Sequence, residues 1–205
     1  MIKVLSVASE VYPLVKTGGL ADVVAALPGA LAPHGVAVTT LIPGYPALRE
    51  HLADAVHVHS YDSLIGVPAR ILETDLDGHA LLVLDAPALF ERSGGPYVGP
   101  DGRDWPDNWQ RFAALARAGA DLASGVVTGR YYDVLHAHDW QAAMAPAYLR
   151  FAPGPMPGAA NMITIHNIAF QGRFDRSVFS ALGLPASAYG IDGVEYYGGV
   201  GFLKA

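Results

Sequence analysis

The residues best suited to chemistry in this chain stand where apolar runs end. In "EVYPLVKTGGLADVV", Glu10 to Val24, Lys16 and the pair Gly18-Gly19 lie between the run "IKVLSVA" and a stretch with helical periodicity. Such a turn offers free backbone N–H groups and the positive end of a helix dipole, which suits an anion. Two residues without a Cβ let a ligand approach the backbone closely, and Lys16 adds a full charge. The same residues equally make a plain strand-to-helix turn with a solvated lysine. The spacing is neither G-x-G-x-x-G nor G-x-x-x-x-G-K-[ST], so neither a dinucleotide fingerprint nor a P-loop is present.

A second group is "DVLHAHDWQ", where His136 and His138 stand two apart on a predicted strand and so share a face, with Asp139 just beyond. A hydrogen-bonded strand histidine is the ordinary reading of His136, and a metal site lacks an evident third and fourth ligand. Asp139 is either the N-cap of the next helix or a carboxylate that holds a sugar hydroxyl. The third group, "NMITIHNIAFQG", ends an apolar run in His166 and Asn167, and His166 is either a core partner or a ligand contact. An acid/base carboxylate pair of the hydrolase kind is not identifiable, because Glu10, Asp22 and Asp139 all have structural explanations.

Positioning these groups requires a sheet whose strands end on one edge. "IKVLSVA", "VAVTTLI", "HALLVLD", "DVLHAH" and "NMITIH" are short apolar runs of the kind buried on both faces of a parallel sheet. Between them lie helical patterns. Leu20, Val23, Val24, Leu27 and Leu31 form one stripe that Pro28 should kink or split, and His34-Gly35 ends it. "WPDNWQRFAALARAGADLASG" predicts a helix with Pro106 in its first turn, Phe112, Leu115 and Leu122 inward and Gly125 as its stop. "DWQAAMAPAYLRF" predicts a third, opened by Asp139. The alternation indicates a doubly wound, mainly parallel α/β sheet of the Rossmann-like kind, whose carboxyl edge is where open α/β folds bind ligands. From Asp85 to Asn108 the pattern gives way to a long Gly-, Pro- and Asp-rich loop with Tyr97 and Trp105, expected to be functional or mobile.

Composition narrows the classes. With 205 residues, 52% hydrophobic and 16% charged, the chain can bury one substantial core, and no linker-like break suggests a boundary within it. A net charge of -6 with scattered basic residues argues against a nucleic-acid partner. The absence of cysteine rules out disulfides, thiolate metal sites and a cysteine nucleophile, and the cytoplasm is the expected compartment. No apolar run reaches the roughly 18 residues of a membrane span, so no membrane partner is expected.

The motifs "SEVYPLVKTGGLADVVAALP", "GGPY", "DNWQRFA", "HAHDWQA", "TIHNIAFQG" and "GFLKA" occur in order and together resemble the bacterial glycogen synthase and plant starch synthase family across essentially the whole chain. That resemblance implies a retaining glycosyltransferase of the GT-B fold, which moves glucose from ADP-glucose to the non-reducing 4-hydroxyl of an α-1,4-glucan such as glycogen or a maltooligosaccharide. It implies no metal and no cofactor. Lys16 would meet the donor diphosphate, with Gly18 and Gly19 supplying N–H groups near it. His166 would contact the transferring glucose, Asp139 and Glu10 would hold sugar hydroxyls, and Tyr97 and Asn108 would line the acceptor path. Asp22 stands either in that site or only in the helix it opens.

The resemblance further implies that residues 1–205 form the N-terminal Rossmann-like domain and that a C-terminal nucleotide-binding domain lies outside them. By itself such a domain is expected to turn over little. A free-standing, non-catalytic module that binds glucan or anions is the alternative, and a nicotinamide-dependent oxidoreductase lacks its glycine fingerprint.

Overall fold

The computed structural model describes residues 1–156 and 158–205. Its elements run β1 (Ile2–Val7), α1 (Leu20–Leu31), β2 (Val36–Pro43), β3 (Val56–Leu64), β4 (Val67–Leu76), β5 (His79–Asp85), α2 (Pro87–Phe90), α3 (Asn108–Ala123), β6 (Val134–His138), α4 (Asp139–Ala142), α5 (Met144–Phe151) and β7 (Ala160–Thr164). Three short strands follow, β8 (Arg173–Phe174), β9 (Glu195–Tyr196) and β10 (Gly199–Gly201).

The main sheet has the order β3-β4-β5-β2-β1-β6-β7. Strands β5, β2, β1, β6 and β7 run parallel to one another, as the five apolar runs predict. The chain steps from β1 to β2 on one side, and β6 and β7 add on the other, so the winding reverses between β1 and β6. At such a reversal the loops leaving the two strands diverge and open a crevice.

The hairpin β3-β4, antiparallel to β5, is not expected from the apolar runs. Strand β3 is an edge with mostly exposed, polar side chains, so it lacks a continuous hydrophobic signature. Its own turn is Ile65-Gly66, with φ of 47° and 87°; the readable signal is the next turn, Asp77-Gly78 between β4 and β5, with φ of 51° and 87°, as a two-residue hairpin turn requires.

Helix α3 is the centre of the core. Phe112, Leu115 and Leu122 are fully buried as predicted. Gly119 lets the helix lie directly on the sheet, because a Cβ there would come within 2.8 Å of Val7 Cγ2. The helix begins at Asn108, so Pro106 stands before its first turn rather than within it. Asp107 instead receives the amides of Gln110 and Arg111 on its carbonyl at 2.9 and 3.0 Å.

Two other helices depart from expectation. Helix α1 is not split by Pro28, which sits in the last turn, where a missing donor removes a single bond, to Val24. Leu20 and Val24 face the core, whereas Val23 is exposed. The third predicted helix is two, α4 and α5, parted at Ala143. Pro146 cannot donate to the carbonyl of Ala142, and the ladder is interrupted just there.

Strands β8, β10 and β9 form a small antiparallel sheet that docks through Phe174 and Phe202 onto Trp140, at ring separations of 5.9 and 6.4 Å. Among the described residues no helix is long and apolar enough to cross a membrane.

Candidate functional site

Glu10 stands three residues past the end of β1 and is 2% exposed. Paired backbone bonds between Val11 and Val15, at 3.1 and 2.9 Å, fold the next residues back so that Thr17 returns to it. Its carboxylate accepts the Thr17 amide at 2.5 Å, the Thr17 hydroxyl at 2.7 Å and the Tyr97 hydroxyl. A buried charge persists only with such donors around it, and here three are supplied by the chain itself.

The Tyr97 phenol is pushed well above its ordinary range, chiefly by burial and then by Tyr45 and Glu10. It therefore stays protonated and donates to Glu10, while the Ser9 hydroxyl donates to it at 2.7 Å. Tyr97 is held in turn by Asn108, whose Nδ2 donates to the Tyr97 carbonyl at 2.9 Å. The 85–108 loop is thereby tied down near its middle, at Tyr97, to Glu10 on one side and to Asn108 at its end on the other. Arg111 completes the anchoring from within α3: at 1% exposure it donates to Leu89 O at 2.9 Å, Pro96 O at 2.7 Å and Asn108 Oδ1 at 2.7 Å. Arg111 is not singled out by sequence reasoning, although its place one turn after Asn108 on the buried side of the helix is a usable signal.

Lys16, Gly18 and Gly19 form the mouth of this arrangement. Lys16 Nζ lies 2.7 Å from both Asp22 oxygens, a pair with side chains 44% and 52% exposed. Exposed pairs contribute little and exchange readily, so the ammonium can turn to a ligand. Gly18 and Gly19 do not have positive φ, and a Cβ on either meets nothing within 4 Å. Neither backbone strain nor packing within the chain thus requires glycine there. The amides of Gly18, Gly19 and Leu20 have no protein acceptor among the described residues, and Gly19 caps α1 without a side-chain bond.

On the neighbouring strands the register pairs His136 with Met162 and His138 with Thr164, so His166 follows two residues past the last pair. The rings of His136 and His138 lie 4.1 Å apart, and those of His138 and His166 stack at 5.3 Å. His136 Nε2 bonds Thr164 Oγ1 at 2.7 Å, and His138 Nδ1 bonds His166 Nε2 at 3.0 Å. Burial and then the adjacent His136 and His166 rings lower the pKa of His138 to about 3, and burial followed by His166 lowers that of His136. Among the described residues, no group of three or more His, Cys, Asp or Glu side chains is placed to hold a metal ion.

Asp139 does not cap its own helix, contrary to the capping expectation. It is the first helical residue and has φ of 55°, a left-handed conformation that Asp tolerates better than most residues. Its Oδ1 instead accepts the amides of His166 at 2.6 Å and Asn167 at 3.3 Å, across from the neighbouring strand. Oδ2 has no partner among the described residues.

Sequence-predicted residues therefore assemble into two networks, Glu10–Tyr97–Asn108 and Asp139–His166, with the Lys16 turn beside the first. The edge-to-face stack of Phe112 on Trp140, at 5.0 Å, and the contact of Tyr97 with Phe112, at 5.9 Å, join them. All stand at the carboxyl edge around the β1/β6 reversal, which defines an open α/β domain with a lysine and backbone amides unpaired among the described residues on one side of its crevice and a polar His/Asp pair on the other.

The chain belongs to the family described as the starch synthase catalytic domain, which it matches over residues 3–205. It is 62% identical over its whole length to a glycogen synthase of Novosphingobium aromaticivorans and 56% identical to one of Rhodopseudomonas palustris strain BisA53. It spans 42% and 41% of those two proteins. Among solved structures it is similar to the catalytic domain of starch synthase IV from Arabidopsis thaliana bound to ADP and acarbose, with a TM-score of 0.79 and 26% identity, over 98% of this chain and 42% of that one. The architecture is that of a Rossmann-like half of a GT-B glycosyltransferase.

Proposed function

We propose that this chain carries one wall of the active site of a glycogen synthase, a cytoplasmic enzyme that transfers glucose from ADP-glucose to the non-reducing 4-hydroxyl of an α-1,4-glucan with retention of configuration. The observation that carries the reading is the Lys16 turn, where two glycines have no internal reason to be glycine and their amides lack acceptors beside a lysine held by an exposed ion pair with Asp22 and by the Tyr12 ring 5.5 Å away. An anion approaching that backbone gives all three features one cause. The glycogen synthases it resembles, and the plant relative bound to ADP and acarbose, support a nucleotide-sugar donor and a glucan acceptor.

In this reading the donor diphosphate sits against Lys16, Gly18 and Gly19. Negative charge grows on the leaving ADP as the glycosidic bond breaks, so a fixed ammonium and oriented amides stabilise the transition state more than the bound donor. His166 and the remaining oxygen of Asp139 meet hydroxyls of the transferring glucose. Glu10, Tyr97 and Asn108 flank the acceptor side, where Glu10 acts largely by holding Thr17 and Tyr97, since the chain's own donors already occupy its carboxylate. The further length of the relatives carries, in this proposal, a second nucleotide-binding domain that supplies the facing wall.

The test is transfer of labelled glucose from ADP-glucose to a maltooligosaccharide by the gene product, together with calorimetric titration of ADP. Transfer that falls steeply in Lys16→Ala, with weaker ADP binding, is the expected result. Binding of maltooligosaccharide with no transfer under any condition would overturn it in favour of a non-catalytic binding module.

A further inference from the structure

His138 is fully buried, at 0% exposure, and has two ring nitrogens to account for. Nδ1 lies 3.0 Å from His166 Nε2, and Nε2 is buried without a partner among the described residues. One proton must occupy the short axis between the rings, and a neutral imidazole carries only one. If His166 donated from Nε2, His138 would accept on Nδ1 and carry its own proton on Nε2, leaving a buried N–H with no acceptor. If His138 donates from Nδ1, the unpaired Nε2 is a bare acceptor. Orphaned buried donors are rarer than under-used acceptors, so the second arrangement is favoured.

A doubly protonated His138 would place a charge in a fully enclosed site with the His136 ring 4.1 Å away, which burial disfavours. The other groups around the pair do not compete for the shared proton. His136 uses Nε2 on Thr164 Oγ1, and Asp139 uses Oδ1 on the backbone amides of His166 and Asn167. His166 is only half-buried, and its Nδ1 has no partner among the described residues and remains open to solvent.

We propose that His138 is a positioning residue: it donates its Nδ1 proton to His166 Nε2 and so holds His166 in the tautomer that carries its proton on Nδ1, presenting a neutral hydrogen-bond donor to a ligand hydroxyl. Asp139 fixes the backbone of the same residue, so position and proton are set by consecutive residues at the end of β6. The use of that donor on a sugar rests on the function proposed above; the tautomer does not.

Long-range proton–nitrogen correlation spectra of the histidine-labelled chain near neutral pH read the tautomer directly. The expected result is a His166 ring protonated on Nδ1 and bare on Nε2. His138→Phe, which has no donor, should release His166 toward its Nε2-protonated form, whereas His138→Asn, whose amide nitrogen falls near the place of Nδ1, should keep the wild-type pattern. In the transfer assay the same Phe variant should lose about tenfold or more in kcat with little change in KM, and Asn should recover most of it. A wild-type His166 protonated on Nε2 overturns the proposal, and so does a folded Phe variant with an unchanged tautomer. If the Phe variant does not fold, the wild-type and Asn spectra decide the matter. Absence of glucose transfer alongside the expected tautomer would remove the proposed function and leave this inference standing.

Discussion

Asp139 Oδ1 lies 2.6 Å from the backbone nitrogen of His166, a bond that spans two neighbouring strands and 27 positions of sequence. It ties the residue that follows β6 to a residue two past the end of β7, beside the reversal of the sheet's winding between β1 and β6. The bond also accounts for the left-handed backbone of Asp139, since a residue continuing the strand or capping the helix would aim its side chain elsewhere.

Asp139→Ala should therefore cost stability twice, through two amides that lose their acceptor and through a Cβ without a polar group in the left-handed region. The expected loss is about 2–3 kcal/mol, while Asp139→Asn, which keeps an acceptor and tolerates that backbone, should lose about 1 kcal/mol or less. Urea unfolding near neutral pH measures both. An alanine variant as stable as the parent would remove the bond from the account of the fold.

Glu10 makes the reverse point, because a nearly isosteric change should fail. Its partners, the Thr17 amide, the Thr17 hydroxyl and the Tyr97 hydroxyl, all donate. Glu10→Gln places an NH2 group against one of them, and a loss of about 1–3 kcal/mol is expected. Thermal unfolding should show it, and an unshifted midpoint would mean that these donors have other acceptors.

Gly18→Ala and Gly19→Ala should separate folding from binding. With ordinary φ and open space at both Cβ positions, stability should stay within about 0.5 kcal/mol of wild type or rise slightly. Affinity for ADP should nonetheless fall, because the added methyl stands where the proposed diphosphate approaches. Lys16→Ala should behave likewise, losing an exposed pair of small worth but about 2–4 kcal/mol of transition-state stabilisation. Calorimetric titration of ADP beside an unfolding curve gives affinity and stability, the ratio of kcat/KM for glucose transfer gives the transition-state loss in Lys16→Ala, and unimpaired binding in all three variants would move the anion elsewhere.

Acid should destabilise the fold through its histidines. The folded chain keeps His138 neutral down to about pH 3, and burial lowers His136 and His79 in the same direction. An unfolded histidine takes up its proton near pH 6.5. Between those values the unfolded state binds more protons, so stability rises with pH through the window and is lost as pH falls below about 6.5. A slope on the order of 1 kcal/mol per pH unit from His138 alone is expected between about pH 6 and 4. Denaturation curves across that range should show a shallower slope in His138→Asn, and an equal slope would mean that the ring is not held neutral.

Much of the scaffold is legible without coordinates. Strands β1, β2, β5 and β6 announce themselves as apolar runs because both faces of the sheet are covered there, and burial on two faces leaves a local mark in composition; β7 is an apolar run too, but it stands at the sheet edge and is largely exposed, contrary to the expectation of burial on both faces. The β3-β4 hairpin leaves no such mark, since β3 is an exposed edge of mostly polar residues; only Asp77-Gly78, the turn from β4 into β5, points to a strand before β5. Helix limits depend on single backbone bonds, which is why Pro28 is tolerated in a last turn while Pro146 parts α4 from α5.

The candidate site divides along the same line. Lys16, Gly18, Gly19, Asp139 and His166 are visible as residue types at the ends of predicted strands, and their convergence on one sheet edge follows from parallel strands alone. Their partners are not visible in this way. That Glu10 is occupied by Thr17 and Tyr97, that Arg111 anchors a loop, and that His138 meets His166 depend on side chains separated by up to 87 positions. Local sequence determines which groups reach the edge, because strand and helix periodicity are local; which of them stay free for a ligand is decided by hydrogen bonds between distant segments, which form only when the sheet is assembled.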